Sequence, residues 1–197
     1  MPDTSESGAE AESNPAAPCS RRHPIDGLPS GATPPYSASV DEPREMTPAL
    51  EAARRRRQTL HDALVHLEQA ISSPAAGRIP NWSGTVTKEM VSLRDAFDQH
   101  VIVTEKPGGL YEEIMERAPR LAGKLRRLQD EHPFISQRIG AALARLEGGE
   151  VGEEGAPWPL DRARDDLQRL LGSIVRHRQS GADLVWEAYN VDIGGPE

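Results

Sequence analysis

Cysteine and long apolar runs are scarce in this sequence, and each scarcity excludes a class of protein. The chain has one cysteine, Cys19, so neither an intrachain disulfide nor a cysteine metal cluster can form. No run approaches the ~18 apolar residues of a membrane span. The acidic start, MPDTSESGAEAESNP, is unlike a signal peptide, which is basic and then apolar. We therefore expect a cytoplasmic protein with no membrane partner.

Positive charge is also in deficit. The sequence has 23 lysines and arginines against 31 aspartates and glutamates, a formal net charge of −8. Binding to nucleic acid requires a basic footprint, so nucleic acid is not expected as a partner. The one basic run, Arg54 to Arg57, is interpreted as a solvent-exposed helix face beside Glu51 and Asp62.

Aromatic residues make up 4% of the sequence, which favours helices packed through aliphatic side chains over sheets. The predicted fold class is all-α. Residues 1–45 are rich in Pro, Ser, Gly, Ala, Asp and Glu, and they are predicted to form a disordered tail because they have too little apolar surface to fold. Residues 46–197 are long enough for one domain with a single core.

Apolar residues at spacings of three and four predict four helices in this domain. They are expected over residues 48–71, 83–103, 110–146 and 160–189, with a kink or break in the third at Ala118-Pro119. The polar, Gly-rich loop 147–159 has Trp158 as its only large apolar anchor. Short connections make sequential helices antiparallel, so the expected architecture is an up-down-up-down four-helix bundle.

Every predicted helix carries a histidine. A helical wheel at about 100° per residue places His132 at the centre of its apolar stripe, and His100 and His177 within about 60° of theirs. His61 lies at the edge of its stripe, and His66 faces away. One such histidine alone is commonly a hydrogen-bonded core residue. Inward histidines on four helices, if at one depth, would converge on an interior site for iron, zinc or manganese.

Four stretches of the chain resemble the hemerythrin-like HHE cation-binding family, between about residues 58 and 192. They read LHDALVHLEQAI, FDQHVIVTEKPGGLYEEI, APRLAGKLRRLQDEHPFI and IVRHRQSGADLVWEAYNVDIGG. The resemblance implies a four-helix bundle that holds a non-haem di-iron site. It also implies the metal ligands, which are His61, His100, His132, His177 and, as the carboxylate of the second helix, Glu105.

The sequence departs from the family pattern at its carboxylates. The family usually has glutamate four residues after the second-helix histidine, where this chain has Thr104. Glu105 comes one residue later, so it reaches inward only through a widened turn or from the helix end. The position four after the fourth-helix histidine is Gly181, and the acids that follow it, Asp183 and Glu187, are predicted to face outward.

Two neighbours of His132 also bear on the site. Pro133 removes a backbone hydrogen bond and is expected to bend the third helix. Glu131 is interpreted as the partner of a surface ion pair, and the alternative is that it accepts a hydrogen bond from an imidazole N–H.

Two functions stay open at this point. The first is a hemerythrin-like iron protein that binds or senses oxygen or a related small molecule, or holds metal. The second is a degenerate bundle without a competent metal site, acting as an interaction or regulatory protein for an unidentified partner. An enzyme is not predicted, because the sequence has no phosphate-binding Gly-rich loop and no Glu-x-x-His motif of carboxylate-bridged di-iron enzymes.

Overall fold

A computed structural model of the chain describes residues 46–190, and these residues are mostly helical. This confirms the all-α prediction for that part of the chain. The five helices are α1 (Pro48–Ser72), α2 (Ile79–Glu105), α3 (Leu110–Arg117), α4 (Ala122–Glu147) and α5 (Leu160–Asn190). None of them is long and apolar enough to cross a membrane. The predicted tail, residues 1–45, lies outside the described residues, and so do residues 191–197 of the predicted domain.

Local sequence signals explain where the first two helices begin. Thr47 is the N-cap of α1, and its hydroxyl accepts a hydrogen bond of 3.2 Å from the backbone N–H of Leu50. The α2 helix begins at Ile79, four residues before the predicted start at residue 83. Pro80 lies within its first turn, where the missing backbone N–H is not needed for a helical hydrogen bond.

The predicted third helix is divided at the expected place. The α3 helix ends at Arg117, a 3₁₀ turn spans Pro119–Leu121, and α4 begins at Ala122. Pro119 disfavours helical geometry at the residue before it, and Ala118 accordingly has φ −139° and ψ 69°. The α4 helix continues through Pro133.

The connection between α4 and α5 is held by its tryptophan, as predicted. Two short strands, β1 (Val151–Gly152) and β2 (Trp158–Pro159), pair in parallel within it. Trp158 is 2% exposed, and its indole N–H donates a hydrogen bond of 3.1 Å to Asp166. This contact attaches the loop to α5.

The long helices contact one another in a closed series, α1 with α2, α2 with α4, α4 with α5, and α5 with α1. The predicted apolar stripes of α1, α2 and α4 are buried. The spacing on α5 also predicts Gly181 and Val185 as inward positions, but both are half-buried, and the buried residues near the end of this helix are Leu184 and Ala188. Two apolar clusters result, a larger one that contains Phe97 and a smaller one around α3.

Candidate metal centre

Three of the predicted ligands converge in the interior, one each from α2, α4 and α5. They are His100, His132 and His177, and one ring nitrogen of each lies within 4.8 Å of the others. The Nε2 atom of His177 is 3.1 Å from Nε2 of His132 and 3.4 Å from Nε2 of His100. His132 and His177 are each 2% exposed. We call these residues the histidine triad.

Helical spacing explains why the triad points inward. His100 follows the buried Phe97 by three residues and His177 follows the buried Ile174 by three, so each lies near the core-facing side of its helix. The Phe97 ring centroid is 5.9, 5.8 and 6.0 Å from those of His100, His132 and His177. The triad thus lies against the larger apolar cluster.

Two carboxylates contact the outer nitrogens of the triad. Glu105 Oε1 is 2.6 Å from Nδ1 of His132, and Glu131 Oε2 is 2.8 Å from Nδ1 of His177. Because an ionised carboxylate can only accept a hydrogen bond, these contacts assign the proton to Nδ1 in both imidazoles. Each Nε2 atom then presents a lone pair toward the centre of the triad.

These positions differ from two sequence interpretations. Glu105, the last residue of α2, reaches the site as the helix-end alternative required, but its carboxylate lies on the outer nitrogen of His132. Glu131 was interpreted first as a surface ion-pair partner, but it takes the alternative role of a hydrogen-bond acceptor for an imidazole N–H, that of His177, although its own side chain is 47% exposed. Both glutamates therefore hold imidazoles in place from outside.

The facing Nε2 atoms of His132 and His177 create an electrostatic conflict. Two lone pairs 3.1 Å apart repel unless a cation lies between them. A proton is disfavoured, because burial and the neighbouring imidazoles lower the pKa of His132 to about 4 and that of His100 to about 3. Nitrogens that share a metal ion at about 2.0–2.1 Å lie about 3.0–3.4 Å apart. The two separations from Nε2 of His177, 3.1 and 3.4 Å, lie in or at the edge of this range, and all three ligand atoms lie within 4.8 Å of one another.

The structure does not bring His61 to the triad. Ala53 is an α1 residue that lines a cavity with His100, and His61 lies eight positions further along α1, about 12 Å at 1.5 Å per residue. The hydrogen bond of 3.2 Å from the Trp82 indole to the carbonyl of Ile71 fixes this register between α1 and α2. His61 is half-buried at the stripe edge, as the wheel predicted.

Tyr111 is a part of the site that the sequence analysis did not identify. Its ring is parallel to that of His132, with 6.0 Å between centroids and 3° between planes. Burial raises the pKa of Tyr111 above its ordinary value, so the phenol stays protonated. No periodic signal marks Tyr111, because it lies on a helix of only eight residues.

A cavity of about 260 Å³ opens beside His100 and His177. Its apolar wall consists of Met46, Leu50, Ala53, Leu110, Tyr111, Leu184 and Val185. Three arginines also line it, Arg54 and Arg57, which are exposed, and Arg178, which is half-buried, and we call them the arginine rim. Thr104 and Gly181 complete the lining, each one helical turn after a triad histidine. The triad is therefore accessible to a small molecule from one side.

Comparisons with family models, curated proteins and solved structures find no match to this chain. The chemistry of the triad is thus the basis for assigning a function. Three neutral imidazole nitrogens suit zinc, copper, iron or nickel. Among residues 46–190, these three histidines are the one group whose ligand atoms are close enough to share an ion. A set of three nitrogen donors suits a single ion.

Proposed function

We propose that this chain is a metal-binding protein in which His100, His132 and His177 hold one divalent first-row transition-metal ion. The observation that carries the proposal is that the Nε2 atoms of His132 and His177 face each other at 3.1 Å, while the Nδ1 atom of each ring contacts a carboxylate. In this proposal the helices form an up-down-up-down hemerythrin-like bundle, and the ion is iron.

The proposed role is to bind or sense oxygen or a related small molecule, which reaches the triad through the cavity. When bound, the ion would supply a centre with open coordination positions for such a molecule. The chain's own residues orient the imidazoles. Glu105 and Glu131 fix their tautomers and increase their basicity, and the buried Phe97 excludes water from one side of the triad.

A second function, an interaction or regulatory protein without metal, is favoured by one observation. Thr104 and Gly181, each one turn after a triad histidine, carry no carboxylate, so the described residues bring no bridging ligand for a second ion. In that case the triad is a set of core histidines. The same experiment separates the two functions.

The test is the metal content of the purified protein and its affinity for added ferrous iron, under anaerobic conditions, and for zinc. We expect about one ion per chain, and loss of tight binding in the His100→Ala, His132→Ala and His177→Ala variants. Glu131→Ala should weaken binding by about tenfold or more, the usual effect of removing an outer partner. His66→Ala, on an exposed face of α1, is the matched control and should bind normally.

Two outcomes would contradict the proposal. If the wild-type protein is free of metal and takes up neither ion, the metal-binding function is excluded and the second function, without metal, remains. A stoichiometry of two ions per chain would show that other donors complete a two-ion site.

A further inference from the structure

We infer that the cavity beside the triad binds a small organic carboxylate, with the carboxylate group at the arginine rim and the hydrocarbon body against the apolar wall. This inference goes beyond metal binding. It does not require a metal ion, because the rim and the wall are formed by other side chains than the triad.

The charge of the cavity is opposite to that of the chain. The whole sequence has a formal net charge of −8, yet the described residues that line the cavity include three arginines and no acid. Within residues 46–190, Arg57 and Arg178 take part in no ion pair, so their guanidinium groups are available to a ligand. A guanidinium fork matches a carboxylate with two parallel hydrogen bonds.

The size of the cavity limits the ligand. Its volume of about 260 Å³ equals about nine water molecules at ~30 Å³ each, which indicates a body of about nine non-hydrogen atoms. Thr104 and Gly181 keep this space open, and a Cβ atom added at Gly181 would meet no atom within 4 Å. Benzoate and hexanoate have the required charge, size and apolar body.

The experiment is a titration with benzoate of the full-length protein, which is first treated with EDTA and then desalted, and binding is monitored by two-dimensional amide NMR. We expect a Kd of about 0.1–1 mM, typical of so small a ligand, with shifts concentrated at residues that line the cavity. Benzyl alcohol keeps the ring without the charge, and inorganic phosphate keeps a charge without the ring. Each should bind at least about tenfold more weakly, because each loses one of the two groups of contacts.

Paired variants locate the ligand. The double variant Arg57→Gln, Arg178→Gln should weaken benzoate binding by about tenfold, whereas Arg56→Gln, at an exposed position off the cavity, should not. Gly181→Leu should fill the cavity and abolish binding. Gly140→Leu is its control, because a side chain there also meets open space on an exposed part of α4.

Three results would overturn the inference. If benzyl alcohol binds as tightly as benzoate, the carboxylate group is not recognised. If Gly181→Leu binds benzoate as the wild type does, the ligand does not occupy the cavity. If the wild type does not bind benzoate at millimolar concentration, the proposed site does not exist. For all three results, the helical content of each protein is measured to show that it is folded. Because metal is removed from the protein before the titration, these results do not depend on whether the triad binds metal.

Discussion

A buried imidazole is stable in a protein only while its nitrogens find partners and its ring stays neutral. The triad meets these conditions unevenly. Glu105 and Glu131 satisfy one nitrogen each on His132 and His177, but Nδ1 of His100 is buried without a hydrogen-bond partner among the described residues. A buried nitrogen left in this state costs about 1–3 kcal/mol. The metal-free triad is thus a destabilising feature, as functional sites commonly are.

The neutral state of the triad leads to a pH-dependent stability of the metal-free protein. An unfolded histidine has a pKa of about 6.5, whereas burial holds the pKa of His132 at about 4 and that of His100 at about 3 in the fold. Below pH 6.5 the unfolded chain therefore binds more protons than the folded chain. The free energy of unfolding should fall by up to about 1.4 kcal/mol per pH unit for each group.

Denaturant unfolding in EDTA between pH 7 and pH 4 measures this effect. In His100→Ala the free energy of unfolding should fall less steeply with decreasing pH than in the wild type. The difference should equal the contribution of one histidine, since the variant has lost a buried imidazole that resists protonation. His66→Ala should keep the full slope, because His66 is exposed. The burial-raised pKa of Glu105 acts in the opposite direction, but it is common to all three proteins. Identical slopes in wild type and His100→Ala would contradict the burial of a neutral His100.

At the scale of single residues, most of the site could be predicted from the sequence. His132, His100 and His177 were recognisable because a period of 3.6 residues places them on buried stripes. The register between neighbouring helices could not be predicted, since it depends on contacts such as the hydrogen bond from Trp82 to Ile71. For this reason His61 was predicted as a ligand although it lies away from the triad.

At the scale of elements, α4 is the clearest case of sequence determining structure. Its seam of apolar residues at spacings of three and four is buried along its whole length, with His132 at a core position. Leu128 belongs to the smaller apolar cluster and Ile139 to the larger one. The helix therefore passes through both clusters, on either side of the triad.

Truncation of this seam should destabilise the domain. We expect Leu128→Ala and Ile139→Ala each to lower the free energy of unfolding by about 2–4 kcal/mol, the range for large buried aliphatic side chains. These residues are 3% and 1% exposed. Phe134→Ala removes a larger side chain from the same helix, but Phe134 is 60% exposed, so its effect should stay within about 0.5 kcal/mol. Equal losses in all three variants would contradict the assigned face of α4.

Element boundaries were predictable where proline acts through its own geometry. Pro119 disfavours a helical Ala118, and the break between α3 and α4 lies there. The start of α2 was predicted too late, at residue 83, because a proline in the first turn is compatible with a helix and α2 begins at Ile79, just before Pro80. The pairing of β1 with β2 had no signal in the sequence, because two-residue strands show no alternation.

For the whole molecule, the arrangement of the core is the main result. The two apolar clusters share the helices α1, α4 and α5. The triad lies between Phe97 of one cluster and Tyr111 of the other, with ring centroids near 6 Å from His132 in both cases. A metal ion at this position would connect α2, α4 and α5 through one centre. Metal binding should therefore affect global stability as well as the local site.

Thermal unfolding of the whole chain tests this coupling. A ligand that binds only the folded state at 100 times its Kd adds about 2.7 kcal/mol, which for a chain of this size raises the Tm by about 5–10 °C. We expect that increase when ferrous iron, under anaerobic conditions, or zinc is added to the EDTA-treated and desalted wild type. His132→Ala should be less stable than the wild type without metal, because it leaves a cavity and an unpaired Glu105, and it should gain no stability from either ion. His66→Ala should respond as the wild type does. If instead the wild type and His132→Ala respond alike, or neither gains stability, then the triad does not hold a metal ion. Its histidines are then core residues, and the function to pursue is that of an interaction or regulatory protein without metal.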